Sequence, residues 1–130
     1  MIVVDASVLA PVVIDDGDDG HRARARLRGQ YMSAPCLVDV EVMSAIRQIA
    51  QARAVDDRRV RQALVDLMAS PLRRVPHTPL LPRVWALRHN VTPYDAAYVA
   101  LAEAIGAPLL TADRRLASAH GVECEIELIG

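Results

Sequence analysis

The sequence predicts an α/β domain built on a mostly parallel sheet, and three observations carry that expectation. Short aliphatic runs, β-branched at residues 2–4, recur along the chain. Segments of helical length separate them, which is the alternation that parallel strands with crossover helices require. The 130 residues suit one ordinary domain, and 52% hydrophobic content is ample for its core. That core must be aliphatic, because the chain has no Phe, one Trp and three Tyr. With no linker, internal repeat or low-complexity tract, residues 1–130 are expected to form a single domain.

The elements follow in order. Residues 2–4 read as a buried central strand ending at Asp5. Ser7 is placed to cap a helix over residues 8–14, with Pro11 near its first turn. The Asp/Gly run at 15–20 reads as a turn, and residues 21–30 as a mostly exposed helix with a narrow apolar stripe through Ala23 and Leu27. A short strand is expected over 31–34, closed by Pro35. Long helices are expected over 37–52 and 56–69, then a strand over 72–76 and a helix over 81–88. Thr92-Pro93-Tyr94-Asp95 has the form of a helix start, with a hydroxyl cap, Pro at the first position and an acid three residues after the cap. That helix should run to Ile105 and stop at Gly106. A strand over 108–111, a short helix from Asp113 and an alternating last strand over 123–129 complete the chain.

Composition excludes several function classes. No stretch approaches the roughly 18 apolar residues of a membrane span. The first apolar run stops at Asp5 with no basic region before it, so no signal peptide is expected. Cys36 and Cys124 share no zinc-type spacing with His21, His77, His89 or His120, and two buried free thiols in a cytoplasmic protein is the expected state. The net charge is −1, and every one of the fifteen basic residues is Arg. A chain without Lys cannot supply the P-loop motif. The same lack counts against haloacid-dehalogenase phosphatases and response-regulator receivers. The acidic run from Asp15 fails the EF-hand pattern, because the twelfth position would be Arg26.

In open parallel sheets, active sites form beyond the carboxyl ends of the strands. Asp5 and Asp113 each follow a buried aliphatic run at such an end. Asp95 stands at a helix start and Glu41 inside the third helix. Asp39 lies two residues from Glu41, about 200° round the helix, so only one of the pair can face a shared site. Each acid also has an ordinary reading as a cap or a solvated side chain. Together they are four oxygen donors that one sheet edge can gather. Clustered carboxylates repel one another and their pKa values rise. A hard divalent cation, Mg²⁺ or Mn²⁺, removes that cost and can activate water against a phosphodiester.

Four segments resemble the PIN-domain nucleases, and within them the toxins of VapBC toxin–antitoxin modules: Ile2-Val3-Val4-Asp5-Ala6-Ser7, Ala34-Pro35-Cys36-Leu37 through Glu41, Thr92 to Tyr98, and Leu110-Thr111-Ala112-Asp113. Any one is weak; all four in order along the whole chain are fairly specific. The resemblance implies a three-layer α/β/α sandwich around a central parallel sheet. It implies Mg²⁺- or Mn²⁺-dependent endonucleolytic cleavage of RNA, with tRNA or rRNA as substrate classes, leaving a 5′-phosphate and a 3′-hydroxyl. The family's four acids fall on Asp5, Glu41, Asp95 and Asp113, as metal-binding and catalytic groups. Ser7 and Thr111 match hydroxyls that orient ligands or a water. A cognate VapB-like antitoxin whose tail blocks the acidic pocket, and a toxin homodimer, are the implied partners.

Arg22, Arg24, Arg26 and Arg28 are the candidate RNA-gripping residues, since the guanidinium fork donates two parallel bonds to phosphate. Solvated helix faces explain them equally well, as they do Arg58, Arg59, Arg61, Arg73 and Arg74. Stacking aromatics are nearly absent, so shape and backbone recognition of RNA is expected. Two alternatives stay open: a non-catalytic PIN-fold module that binds RNA or protein, and a housekeeping RNA-processing nuclease.

Overall fold

A computed structural model describes all residues 1–130. The strands are β1 (Ile2–Val4), β2 (Met32–Pro35), β3 (Leu72–Val75), β4 (Leu109–Thr111) and β5 (Ile126–Leu128). They form one sheet in the order β3-β2-β1-β4-β5, and every adjacent pair is parallel. The strand order reverses at β1, so Asp5 leaves the sheet at the switch point where such folds open a crevice. Right-handed crossovers put α1 (Ala6–Ile14), α2 (Asp18–Leu27), α3 (Val38–Arg53) and α4 (Asp57–Ala69) on one face. They put α5 (Leu81–Ala86), α6 (Pro93–Ile105) and α7 (Arg114–Ala117) on the other. This is the three-layer α/β/α sandwich, with a sheet that is wholly rather than mostly parallel. No helix is long and apolar enough to cross a membrane.

The core is one aliphatic cluster centred on β1 and α6. Ile2, Val3 and Val4 are at most 1% exposed, and seven consecutive residues of α6, Ala96–Ala102, are buried. Small side chains explain how α6 can lie directly against the sheet. Ala96, Ala97, Ala100 and Ala102 present little bulk, and Tyr98 is the largest group in that run. The α6 boundaries follow the sequence expectation at both ends: Thr92 Oγ1 accepts from the Asp95 amide, and Gly106 takes the left-handed conformation that ends the helix.

Four local expectations are corrected. Ser7 does not cap α1; the helix starts at Ala6, with Asp5 at the cap position and Ser7 already in the first turn. Pro11 consequently lies inside the helix rather than near its start. The second helix starts at Asp18, inside the expected turn. Asp15 Oδ1 accepts from the Gly17 amide at 2.7 Å and tightens the bend to three residues, while Asp18 and Asp19 complement the positive helix start. The cysteines are free, but Cys36 is exposed and Cys124 only half-buried. Cys36 follows β2 on the surface turn into α3, outside the alternation that buries strand residues. A 3-10 turn at Thr78–Leu80 also precedes α5 where no element was expected.

Gly20 is a poor helix former by propensity, yet it is buried in α2. A Cβ there would lie 1.8 Å from the Asp15 carbonyl oxygen, so the helix passes too close to the preceding turn for any side chain. The Gly20→Ala protein should lose about 1–3 kcal/mol of stability, as forced overpacking does. Urea denaturation measures this, and an unchanged midpoint would refute the close approach.

Candidate active site

The carboxyl ends of β1 and β4 bring Asp5 and Thr111 side by side. Val3 is registered with Leu109 and Val4 with Leu110, so one step further Asp5 stands beside Thr111. Thr111 Oγ1 donates to Asp5 Oδ2 at 2.8 Å, and Ser7 Oγ donates to the same oxygen at 2.8 Å. Each hydroxyl has a single hydrogen and gives it to Asp5, so the 3.3 Å approach between Ser7 Oγ and Thr111 Oγ1 is a packing contact in this arrangement. Their lone pairs accept in turn from the backbone: Ala112 N–H donates to Ser7 at 2.9 Å and Asp113 N–H to Thr111 at 3.0 Å. Asp5 is 6% exposed, and no fully buried side-chain oxygen lacks a partner. Its Oδ1, which receives no protein hydrogen bond, therefore faces the crevice.

The same network aims Asp113. Its backbone is tied to Thr111, and its Oδ1 accepts from the Arg115 amide at 2.9 Å, which caps α7. The capping reading of Asp113 is thus correct, and it is compatible with a second carboxylate oxygen free for other work. Asp95, in the first turn of α6, lines a cavity of about 210 Å³ together with Asp113, Asn90, Thr92 and Arg115. Burial pushes the Asp95 pKa up, and the negative charges of Asp5 and Asp113 push it further; Thr92 and Arg115 oppose this in part.

Glu41, in the first turn of α3, also titrates above its ordinary range. Burial is the main cause, opposed by a hydrogen bond from Tyr98 and reinforced by Asp5 and Asp95. Asp39 faces away and holds Arg74 through two bonds at 2.7 and 3.0 Å, so of the two acids it is Glu41 that joins the group. The four candidate acids therefore share one electrostatic neighbourhood, although no three acid, His or Cys side chains gather closely enough to cage a metal by themselves. The donor chemistry still fits a hard cation. Mg²⁺ keeps several waters and commonly takes only one or two carboxylates, with substrate phosphates completing its shell.

Sequence reasoning missed Tyr98. It is fully buried, and its hydroxyl donates to Glu41 Oε1 at 2.6 Å, joining α6 to α3. Burial and the adjacent Glu41 charge raise the phenol pKa far above its usual value, so it stays a donor at every working pH. The available signal was spacing: Tyr98 follows Asp95 by three residues, which puts both on one face of α6.

The four candidate arginines of α2 part company. Arg26 makes two 2.6 Å bonds to Glu127 of β5, and Arg24 donates to the carbonyls of Val12 and Asp15. Both hold α2 on the body of the protein. Arg22 pairs loosely with Asp19 at 3.3 Å and lines a cavity of about 350 Å³ beside Ser7. Arg28 is exposed at the end of α2.

Two predictions follow from the charges. Glu41 has a folded pKa above its unfolded value, so its stabilising contribution is complete only below the ordinary 4.5 and is lost as pH rises through the raised value. The Glu41→Gln protein, free of divalent metal, should therefore melt a few degrees higher than wild type at neutral pH, roughly as 1 kcal/mol does for a domain this size. The difference should vanish near pH 4; a melting gain that grows towards acid would overturn the assignment. In Tyr98→Phe the buried carboxylate loses its donor, at a cost of about 1–3 kcal/mol. The Glu41 pKa, followed by carboxyl-carbon NMR, should then rise beyond its wild-type value.

The comparisons agree on a family. The PIN domain model matches residues 2–121. Ribonuclease VapC12 of Mycobacterium tuberculosis is 43% identical over 129 residues, covering 99% of both chains. Ribonuclease VapC1 of the same organism is 42% identical over 128 residues, covering 98% of this chain and 96% of its own. Among solved structures, PAE2754 from Pyrobaculum aerophilum superposes with a TM-score of 0.71 at 24% identity, covering 96% of this chain and 81% of that one. Mycobacterium tuberculosis VapC20, described as a Sarcin-Ricin loop cleaving toxin, gives 0.64 at 17% identity, covering 95% and 97%. Those two establish the fold alone. Family model, near-complete relatives and the three-layer fold lead to one conclusion: this chain belongs to the PIN-domain family, among its VapC ribonucleases.

Proposed function

We propose that this chain is a divalent-metal-dependent endoribonuclease, the toxin of a toxin–antitoxin pair, that hydrolyses a phosphodiester in structured RNA of the tRNA or rRNA class. The observation that carries the reading is the hold on Asp5: two hydroxyls on one oxygen, the other oxygen facing a crevice shared with Glu41, Asp95 and Asp113. Burial raises the pKa values of Glu41 and Asp95, and repulsion from the neighbouring acids raises them further; cation binding offsets that cost.

Asp5, Asp95 and Asp113 would hold Mg²⁺ or Mn²⁺ most directly, and Glu41 through a water. When bound, the cation neutralises phosphodiester charge and lowers the pKa of a water so that it can attack phosphorus. Ser7 and Thr111 keep the Asp5 carboxylate from rotating, and Tyr98 does the same for Glu41. Holding these groups before the substrate arrives lowers the reorganisation needed in the reaction.

The partners are part of the same proposal. An antitoxin and a second toxin copy both need apolar surface. What supports them is the groove of about 470 Å³ between α3 and α4, lined by Met43, Leu64, Leu67 and Met68, with Val40 and Val65 exposed nearby. Light scattering on the purified chain, alone and with the product of any adjacent short gene, tests both; a monomer that binds nothing would remove them.

Antitoxin-free protein incubated with total RNA and Mn²⁺ or Mg²⁺ should give discrete fragments, lost in EDTA. Asp5→Asn should cut at least about 100-fold more slowly, the loss expected when a group stabilising several kcal/mol of charge is removed. Mn²⁺ at about 100 times its Kd should stabilise wild type by about 2.7 kcal/mol and Asp5→Asn far less. Folded wild type that neither cuts RNA nor gains stability from Mn²⁺ would leave a non-catalytic binding module.

A further inference from the structure

Neither the acid cluster nor the α2 arginines explain two further cations beside the site. Arg114 and Arg115 follow Asp113 directly and are the first two residues of α7. Consecutive helical residues point about 100° apart, and the structure shows the consequence. Arg114 lines the 350 Å³ cavity beside Ser7, together with Arg22, while Arg115 lines the 210 Å³ cavity beside Asp95 and Asp113. The two cavities share one wall, the segment from Ala112 to Arg115. Ser7, which donates to Asp5, lines the first, and the Asp95–Asp113 pair lines the second.

That wall is rigid where it must be and loose where it is useful. Thr111 and Leu116 are buried to within 1%, and the backbone between them is tied by Ala112 to Ser7, Asp113 to Thr111 and Arg115 to Asp113. The guanidiniums are not tied. Arg115 is 96% exposed, with only a 3.9 Å approach to Asp113, and Arg114 is exposed with no ion pair. Five other arginines, Arg26, Arg53, Arg59, Arg74 and Arg83, are held closely by the chain's own acids; these two, which flank the acid cluster, are not. Two free cations beside a cluster of acids contribute little to folding but suit a polyanion that must approach those acids. Asp19, on the rim of the first cavity, is matched there by Arg22.

We propose that Arg114 and Arg115 straddle the acid cluster and bind RNA backbone phosphates on either side of the scissile one, with Arg22 assisting Arg114. This rests on the nuclease reading and adds to it a path for the strand: through the Ser7 cavity, across the acids, and out over the Asn90–Asp95 wall. Both contacts go to phosphate, so they set register and carry no base information.

The test is binding of a fluorescein-labelled RNA stem–loop in EDTA, where nothing is cut, followed by anisotropy across a salt series. Arg114→Ala and Arg115→Ala should each weaken binding roughly tenfold at low salt, as loss of a charged hydrogen bond does. Each should also reduce the slope of log affinity against log salt by about 0.7–1. Arg114→Lys should restore the slope, and Arg61→Ala on α4 should change neither quantity beyond a uniform small charge effect. Circular dichroism melts check that the variants fold. If both alanine variants bind as Arg61→Ala does while wild type cuts RNA in Mn²⁺, the straddle is wrong and the nuclease reading stands. If only one of the two weakens binding, the strand does not cross the acids as described. If wild type neither binds nor cuts RNA, both readings fall.

Discussion

The hydrogen bond from Thr111 to Asp5 joins the ends of two adjacent parallel strands, and most of the site is organised around it. It exists because β1 and β4 pair in a register that leaves a carboxylate beside a hydroxyl at the carboxyl edge. Ser7, in the first turn of α1, completes the pair of donors. The same two hydroxyls accept from Ala112 and Asp113, so the strand that supplies Thr111 also fixes the loop that carries Asp113. A change at one of these groups is thus felt at two acids at once.

Around that centre the protein tolerates an electrostatic strain. Burial and neighbouring negative charge raise both Glu41 and Asp95, and nothing basic is placed deep in the crevice to relieve them. Tyr98 relieves Glu41 with a neutral donor, and Arg115 offers Asp95 a cation that stays largely in solvent. A buried Arg or Lys in the same place would neutralise the acids permanently and exclude a cation. The perturbed carboxylates cluster at the switch point of a parallel sheet, where folds of this kind place their sites.

Legibility from sequence varied with the range of the interactions involved. Aliphatic runs, the Thr92-Pro93 start and the Gly106 stop of α6 are local signals, and the structure follows them. The start of α1 departs from the expectation because Ser7 and Thr111 both give their hydroxyl hydrogens to Asp5, and Thr111 is 104 residues from Ser7. The start of α2 was misplaced because Gly20 marks a close approach to Asp15 rather than a flexible turn. For the arginines, residue type announced cations, but only the partners Glu127, Val12 and Asp15 show that Arg26 and Arg24 are structural.

By itself the sequence determined the alternation of strands and helices, the aliphatic core and the four acids whose order resembles one family. Those are properties of composition and spacing, which act within a few residues. The tertiary structure alone decided that Tyr98 steadies Glu41, that Asp39 is spent on Arg74, and that Arg114 and Arg115 diverge into separate cavities. Each depends on contacts between segments brought together by strand register and helix packing, and no local pattern encodes which oxygen a hydroxyl or guanidinium will find there.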